Sequence, residues 1–170
     1  MFAARSDQKV LGYLGRALSL ELSAVQQYST QARLVASWGL SEAAASLRKE
    51  ADEELQHADR IIERMLAIGV APGGSQLRPV KLAADLSGLL LANQQFEADV
   101  IQLYQSAARH CASAGDHDSR MFFEELLKEE QQHLAELDAW LQRLQQVPEK
   151  QVPMNQPPRQ VYGNRNRGRR

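Results

Sequence analysis

The chain is poor in cysteine, in early proline and in long apolar runs. Its single cysteine, Cys111, excludes an internal disulfide and fits a reducing, cytoplasmic setting. No proline precedes Pro72, so nothing of that kind interrupts a helix in the first part of the chain. No stretch approaches the roughly 18 uncharged apolar residues of a transmembrane helix. The N-terminus carries Arg5, Asp7 and Lys9, then Arg16 and Glu21 within its first apolar run, and so lacks the core of a secretory signal. Charge of one sign is also missing: the formal net charge is -1, which directs the protein to no partner. That balance hides an asymmetry, because residues 149–170 carry +5 and the rest about -6.

What is present is helix-forming sequence. Ala, Leu, Glu, Gln and Arg dominate up to Val147, and runs of β-branched residues are absent. The 170 residues suit one domain with a sizeable core. Punctuation divides them into four helical segments. The first spans about Asp7 to Trp38, stopped by Gly39, and the second starts at Ser41 as N-cap and ends near Gly69. The third spans about Leu82 to Ser113, stopped by Gly115. The fourth is capped by Asp116 or Asp118 and ends before Pro148. Leu47, Leu55, Ile61, Ile62, Met65 and Leu66 keep roughly to one side of the second segment.

Linker lengths set the topology. The first and third turns are short and join antiparallel neighbours. The middle linker, residues 70–80, reaches roughly 36 Å when extended. A helix of about 28 residues is roughly 42 Å long. The linker therefore nearly runs the length of the bundle and sets the second and third helices parallel. The predicted fold is all-α: a ferritin-like four-helix bundle over 1–148 with one long crossover between helices 2 and 3. Residues 149–170, with prolines 153, 157 and 158 and a basic end, read as a flexible tail.

A repeat gives the bundle its chemistry. EELQH at 53–57 returns as EEQQH at 129–133. Glu54 and Glu130 are 76 apart, as are His57 and His133, Glu21 and Glu97, Tyr28 and Tyr104, and Arg33 and Arg109. Each glutamate lies near the middle of its helix, so all four converge at one level. Glu-x-x-His places each histidine on the same helix face as its glutamate. Four ionised carboxylates in a bundle interior repel one another and each loses several kcal/mol of hydration. Two divalent cations balance them, and the histidines add nitrogen donors that suit iron, manganese or zinc over magnesium or calcium. One Glu from each of two helices, with Glu-x-x-His from the other two, is the di-iron carboxylate constellation. A solvated face is the usual meaning of a single Glu-x-x-His. Two copies in register with two further glutamates favour a metal site. Tyr28 and Tyr104 are either hydrogen-bond partners of these carboxylates or core residues.

On LSLELSAVQQY, RLVASWGL, EELQHADRIIERML, FEADVIQLY and EEQQH, the chain resembles bacterioferritin across about residues 8–146. The resemblance implies a ferroxidase whose ligands are Glu21, Glu54, His57, Glu97, Glu130 and His133, with Glu54 and Glu130 bridging two irons. It implies oxidation of two Fe(II) by O2 or peroxide and storage of Fe(III) in a 24-subunit shell built from two-fold dimers. Three departures accompany it. The methionine that ligates haem in the family falls on Leu55, which argues against methionine-ligated haem or for a haem-free subunit of a mixed shell. A histidine and an aspartate of an inner-surface iron site fall on Lys49 and Glu53. The tail replaces a short fifth helix. The alternatives are a di-iron redox protein without mineral storage, or a subunit whose tail recruits nucleic acid or a protein shell through Arg159, Arg165, Arg167, Arg169 and Arg170. The lone cysteine excludes the CxxC iron domain of peroxide-reducing relatives. His110 and His117 read as helix-end or surface residues, Cys111 as a buried hydrophobe, Trp38 and Trp140 as packing, and Met65 and Met121 as core.

Overall fold

A computed structural model describes residues 7–146. The tail expectation for 149–170 lies outside the described residues. Four helices form: α1 (Gln8–Ser37), α2 (Ser41–Ala67), α3 (Leu86–Ala114) and α4 (His117–Gln146). Asp7 caps α1 through the Lys9 N–H, at 2.8 Å. Gly39, Gly69 and Gly115 take the left-handed conformation just past the ends of α1, α2 and α3, with φ of 82°, 78° and 73°. A side chain there would be strained, so glycine ends each helix without penalty.

Two boundaries differ from the sequence reading. Leu40, not Ser41, is the N-cap of α2, and no side chain bonds that end. α3 starts at Leu86, because residues 82–85 complete the crossover and Asp85 caps the helix through the Gly88 N–H at 2.7 Å. Gly88 is required: a Cβ there would lie 2.7 Å from the Ala83 Cβ. Of the α4 candidates it is Asp116 that caps, accepting from the Ser119 N–H at 3.0 Å.

α1 packs on α2, α3 on α4, and α1 also on α3. Direction follows from cross-helix bonds. Asn93 meets Gln27 and Gln31, while Tyr28 meets Glu97 and Tyr104 meets Glu21, so α1 and α3 are antiparallel. The short turn makes α2 antiparallel to α1 as well, so α2 and α3 run parallel, which the long crossover permits.

The crossover is tied to one face of α1 by a polar ladder. Ser19 accepts from the Gln76 N–H (3.2 Å), Ser23 from the Arg78 N–H (2.9 Å) and Gln27 from the Lys81 N–H (3.2 Å). Gln31 Nε2 donates to the Lys81 carbonyl at 3.1 Å. Five linker residues at about 3.4 Å each span about as far as twelve helical residues at about 1.5 Å, so the linker lies extended alongside α1. Buried Asn93 closes the network, accepting from Gln27 at 2.8 Å and donating to Gln31 at 2.7 Å.

The core is continuous along the bundle, with Leu14, Val35, Leu47, Ile61, Leu89, Leu90, Phe123 and Leu126 fully enclosed. Trp38 and Trp140 pack against it, and Met65 and Cys111 are inside. Met121 is not core; it is 55% exposed. Phe123, two positions on, faces the interior, and a two-residue step carries Met121 to the opposite side of α4. The outer face of α2 carries Leu55 and Leu66, 52% and 59% exposed. Among the described residues no helix is long and apolar enough to cross a membrane.

Replacing Gln27 with Leu leaves the Lys81 N–H and the Asn93 Oδ1 without partners. The expected loss is about 2 kcal/mol of unfolding free energy, with faster amide exchange at residues 76–81. Denaturant melts and hydrogen exchange on the metal-free protein check both.

Candidate metal centre

All six residues singled out by the repeat are buried, and they meet at mid-bundle. Glu21, Glu54, Glu97 and Glu130 are 0–1% exposed, His57 3% and His133 9%. They form two groups: Glu21, Glu54, His57 and Glu130, and Glu54, Glu97, Glu130 and His133. Within each group, potential donor atoms lie within 4.8 Å of one another. Glu54 and Glu130 belong to both. The two histidine rings stack at 5.6 Å with an interplanar angle of 15°.

Each imidazole turns Nδ1 inward. His57 Nδ1 lies 2.8 Å from Glu130 Oε1, 3.2 Å from Glu54 Oε2 and 3.8 Å from Glu21 Oε2. His133 Nδ1 lies 3.3 Å from Glu54 Oε1 and 3.6 Å from Glu130 Oε2. Both Nε2 atoms face outward, His57 toward Glu129 (2.9 Å) and His133 toward Glu53 (3.7 Å).

The tyrosines of the repeat are not ordinary core residues. Tyr28 of α1 donates to Glu97 of α3, and Tyr104 of α3 donates to Glu21 of α1. Each phenol crosses to the carboxylate of the other hairpin and orients it.

This is an expensive cluster for a dry interior, and its protonation reflects that. Burial, then the charges of Glu54 and Glu130, pushes Glu21 and Glu97 well above the ordinary carboxylate range. Burial also acts against the Glu54 anion, but hydrogen bonds from His133, His57 and Glu21 outweigh it and hold Glu54 at about 2. Burial opposes the imidazolium of both histidines. Bonds to the surrounding carboxylates override it, lifting His57 far above its usual range and His133 to about 11. Protons thus supply the positive charge in the metal-free protein.

The donor set fits divalent metal. Of seven buried side-chain atoms without an aligned hydrogen bond among the described residues, five belong to this cluster: Glu21 Oε2, Glu54 Oε1, both oxygens of Glu130 and His133 Nδ1. Such orphans are rare in folded proteins, and here all five face one small volume. They match what two ions with mixed O/N ligation would take up.

A third group, Glu50, Glu53 and His133, lies on the outer side of the second. Burial raises Glu50 to about 7. Lys49 is no donor here; it pairs with Glu53 at 2.9 Å. A cleft of about 270 Å³ between α2 and α4, lined by both histidines with Glu53, Glu129, Lys49 and Arg60, leads from the surface to the cluster. The sequence reading missed Glu50 and Glu129. Glu129 is itself matched to Glu53 by the repeat and Glu50 stands one turn before Glu54, but only the α2–α4 pairing brings them to the histidines. His110 bonds Asp7 at 2.8 Å near the end of α3, and His117 is exposed at the start of α4, so neither joins the cluster.

Residues 11–147 match the family model for the ferritin-like domain. The bacterioferritin of Rhodobacter capsulatus is 36% identical over 130 residues, 76% of this chain and 81% of that one. The bacterioferritin of Brucella melitensis biotype 1 is 32% identical over 145 residues, 85% and 90% of the two chains. A solved structure of the Rhodobacter capsulatus protein, described as having a metal-free dinuclear site and a haem iron in a crystallographic special position, superposes with a TM-score of 0.81. It is 34% identical and covers 84% of this chain and 89% of that one.

In the metal-free protein, stability follows these shifts. His133, raised from 6.5 to about 11, stabilises fully below pH 6.5 and loses that contribution as pH rises through 11. Glu54, lowered to about 2, stabilises above pH 4.5 and loses its contribution as pH falls through 2. The stability gap between wild type and His133→Asn is therefore expected to be widest near pH 6 and to close toward pH 11. Urea melts across that range check it.

Proposed function

Since the chain belongs to the ferritin-like family, among the bacterioferritins, we propose that it is a ferroxidase that takes Fe(II) as substrate and sequesters the ferric product. The carrying observation is that Glu54 and Glu130 are shared by two overlapping donor groups in which five buried atoms make no aligned hydrogen bond. In this reading Glu21, Glu54, His57 and Glu130 receive one Fe(II). Glu54, Glu97, Glu130 and His133 receive the other, with Glu54 and Glu130 bridging. Two Fe(II) together give up two electrons, enough to reduce O2 to peroxide or peroxide to water.

The chain's own groups have definite tasks. The four carboxylates neutralise two incoming dications, so a stable dinuclear centre carries little net charge. To receive them the cluster must release the protons it holds on His57 and His133 and those that burial favours on Glu21 and Glu97. Tyr28 and Tyr104 keep Glu97 and Glu21 turned inward as charge at the centre changes. The cleft between α2 and α4, which both histidines line, offers iron a route from the surface.

Haem does not fit this chain as it fits a methionine-bearing relative. Leu55 presents an alkyl side chain, and the only methionine of α2, Met65, is buried in the core at 4% exposure. The exposed Leu55 and Leu66 instead suit an apolar contact with a second copy. A two-fold dimer, a larger shell and a mixed shell with a haem-binding subunit all remain consistent with that face. Residues 1–148 carry the chemistry in this reading. Residues 149–170 are a separate, basic stretch of sequence that this reading leaves outside the chemistry, as a solvated tail with recruitment of nucleic acid or a protein shell as the alternative, in a cytoplasmic protein.

Aerobic addition of Fe(II) is expected to give a fast oxidation phase saturating at two irons per subunit, by analogy with the donor groups above. Glu54→Ala is expected to reduce that phase to background autoxidation; a surviving fast phase overturns the ligand set. Native mass with iron content separates storage from redox turnover: large iron-filled particles support storage, and small iron-poor dimers overturn it. Deleting residues 149–170 is expected to leave the fast phase intact while abolishing recruitment.

A further inference from the structure

Around the symmetric ligand set the two halves of the site are built differently. Glu53 and Glu129 are themselves 76 apart, so the repeat places one carboxylate beside the outer nitrogen of each histidine. Their surroundings diverge. Glu129 receives Nε2 of His57 at 2.9 Å and is gripped by Arg60 through both carboxylate oxygens, at 2.9 and 2.8 Å. Arg60 comes from α2, the helix that carries His57, so the contact bridges α2 and α4. It is also a fork geometry that fixes the plane of the carboxylate.

The other half has no such grip. Glu53 stands 3.7 Å from Nε2 of His133, beyond hydrogen-bond reach. Its cation is Lys49, a single contact from one turn earlier on the same helix, and the Lys49 side chain is 65% exposed. The positions 76 residues from Lys49 and Arg60 are Glu125 and Glu136, so the cations themselves were not duplicated.

Once the second proton has left, an imidazole that still donates through Nε2–H presents the bare lone pair of Nδ1 on its other side. Nδ1 of His57 is the atom directed at Glu21, Glu54 and Glu130. We propose that Glu129, clamped by Arg60, is a positioning residue that fixes the tautomer and rotation of His57, whereas His133 lacks an equivalent clamp, so that the two metal positions differ in affinity. This rests on the dinuclear reading above. The His57 position is preorganised. The His133 position must order its ring as the ion binds.

The test is anaerobic titration of the full chain with Co(II), read by its visible d–d absorption, which responds to ligand geometry. Wild type is expected to bind two ions in unequal steps. Glu129→Leu is expected to weaken the tighter step about 10- to 100-fold and leave the other nearly unchanged. Glu129→Gln keeps a carbonyl acceptor for Nε2–H and is expected to recover most of the loss, which a merely structural role would not produce. Arg60→Leu is expected to give a smaller loss at the same step, and Glu53→Leu to leave that step intact. Two ions bound by wild type with Glu129→Leu unchanged would overturn the positioning role alone. So would equal weakening of both steps by the Leu and Gln variants. Fewer than two ions bound by wild type would overturn the dinuclear reading, and this role with it.

Discussion

Four carboxylates enclosed at the middle of a helical bundle need positive charge among them, and most of the structure follows from meeting that need. Without metal the need is met by protons. Two imidazolium rings stack across the cluster, and two of the glutamates are driven toward their neutral form. With two divalent ions the same volume is balanced at full ionisation. The metal-free fold therefore persists in a charge state different from the one that two divalent ions would require. Proton release and metal uptake become one equilibrium. Buried ionic groups rarely stabilise a fold relative to apolar packing, so this cluster is better understood as function carried by an otherwise apolar core than as a source of stability.

That core has to hold the helices in register to within a fraction of a turn, or the donors would not meet. Two devices do so. The crossed tyrosines tie α1 to α3 at the level of the cluster, each linking one hairpin to the other hairpin's carboxylate. Above them the Gln27–Asn93–Gln31 network joins the same helices and also fastens the crossover to α1. A connection of this length would otherwise carry unpaired backbone across an apolar bundle. Side chains spaced four apart on α1 supply its partners. The crossover thus acts as an extra strand-like layer over α1, and what lets α2 and α3 run parallel also stiffens the site.

Much of this was legible in the residues. The 76-residue register of Glu, His and Tyr exposed both hairpins and their shared level, because duplicated chemistry keeps spacing even when surrounding residues drift. Gly39 and Gly115 marked helix ends because only glycine adopts the left-handed turn cheaply. Other features depended on packing that no local pattern encodes. Ser41 looked like a cap, yet the chain turns one residue earlier, at Leu40. Leu82 looked helical, but the ladder from α1 competes for residues 76–81 and delays α3 to Leu86. Met121 looked apolar enough for the core, but its neighbour Phe123 claims that face. Ser19, Ser23, Gln27 and Gln31 read as scattered polar residues; only the position of the linker makes them a row.

The repeat also shows where symmetry stops. The residues shared by both donor groups, Glu54 and Glu130, are matched across the two hairpins, because a shared position constrains both halves equally. One layer out, the constraint weakens: Glu53 and Glu129 still correspond, but the cations holding them do not, with Lys49 and Arg60 standing opposite Glu125 and Glu136. Two ions that must be oxidised together do not need equal affinity. A centre with one rigid and one yielding position can retain the first ion while the second exchanges through the cleft that both histidines line. In the ferroxidase proposed above, both positions would share Glu54 and Glu130, so such an inequality would cost little in chemistry.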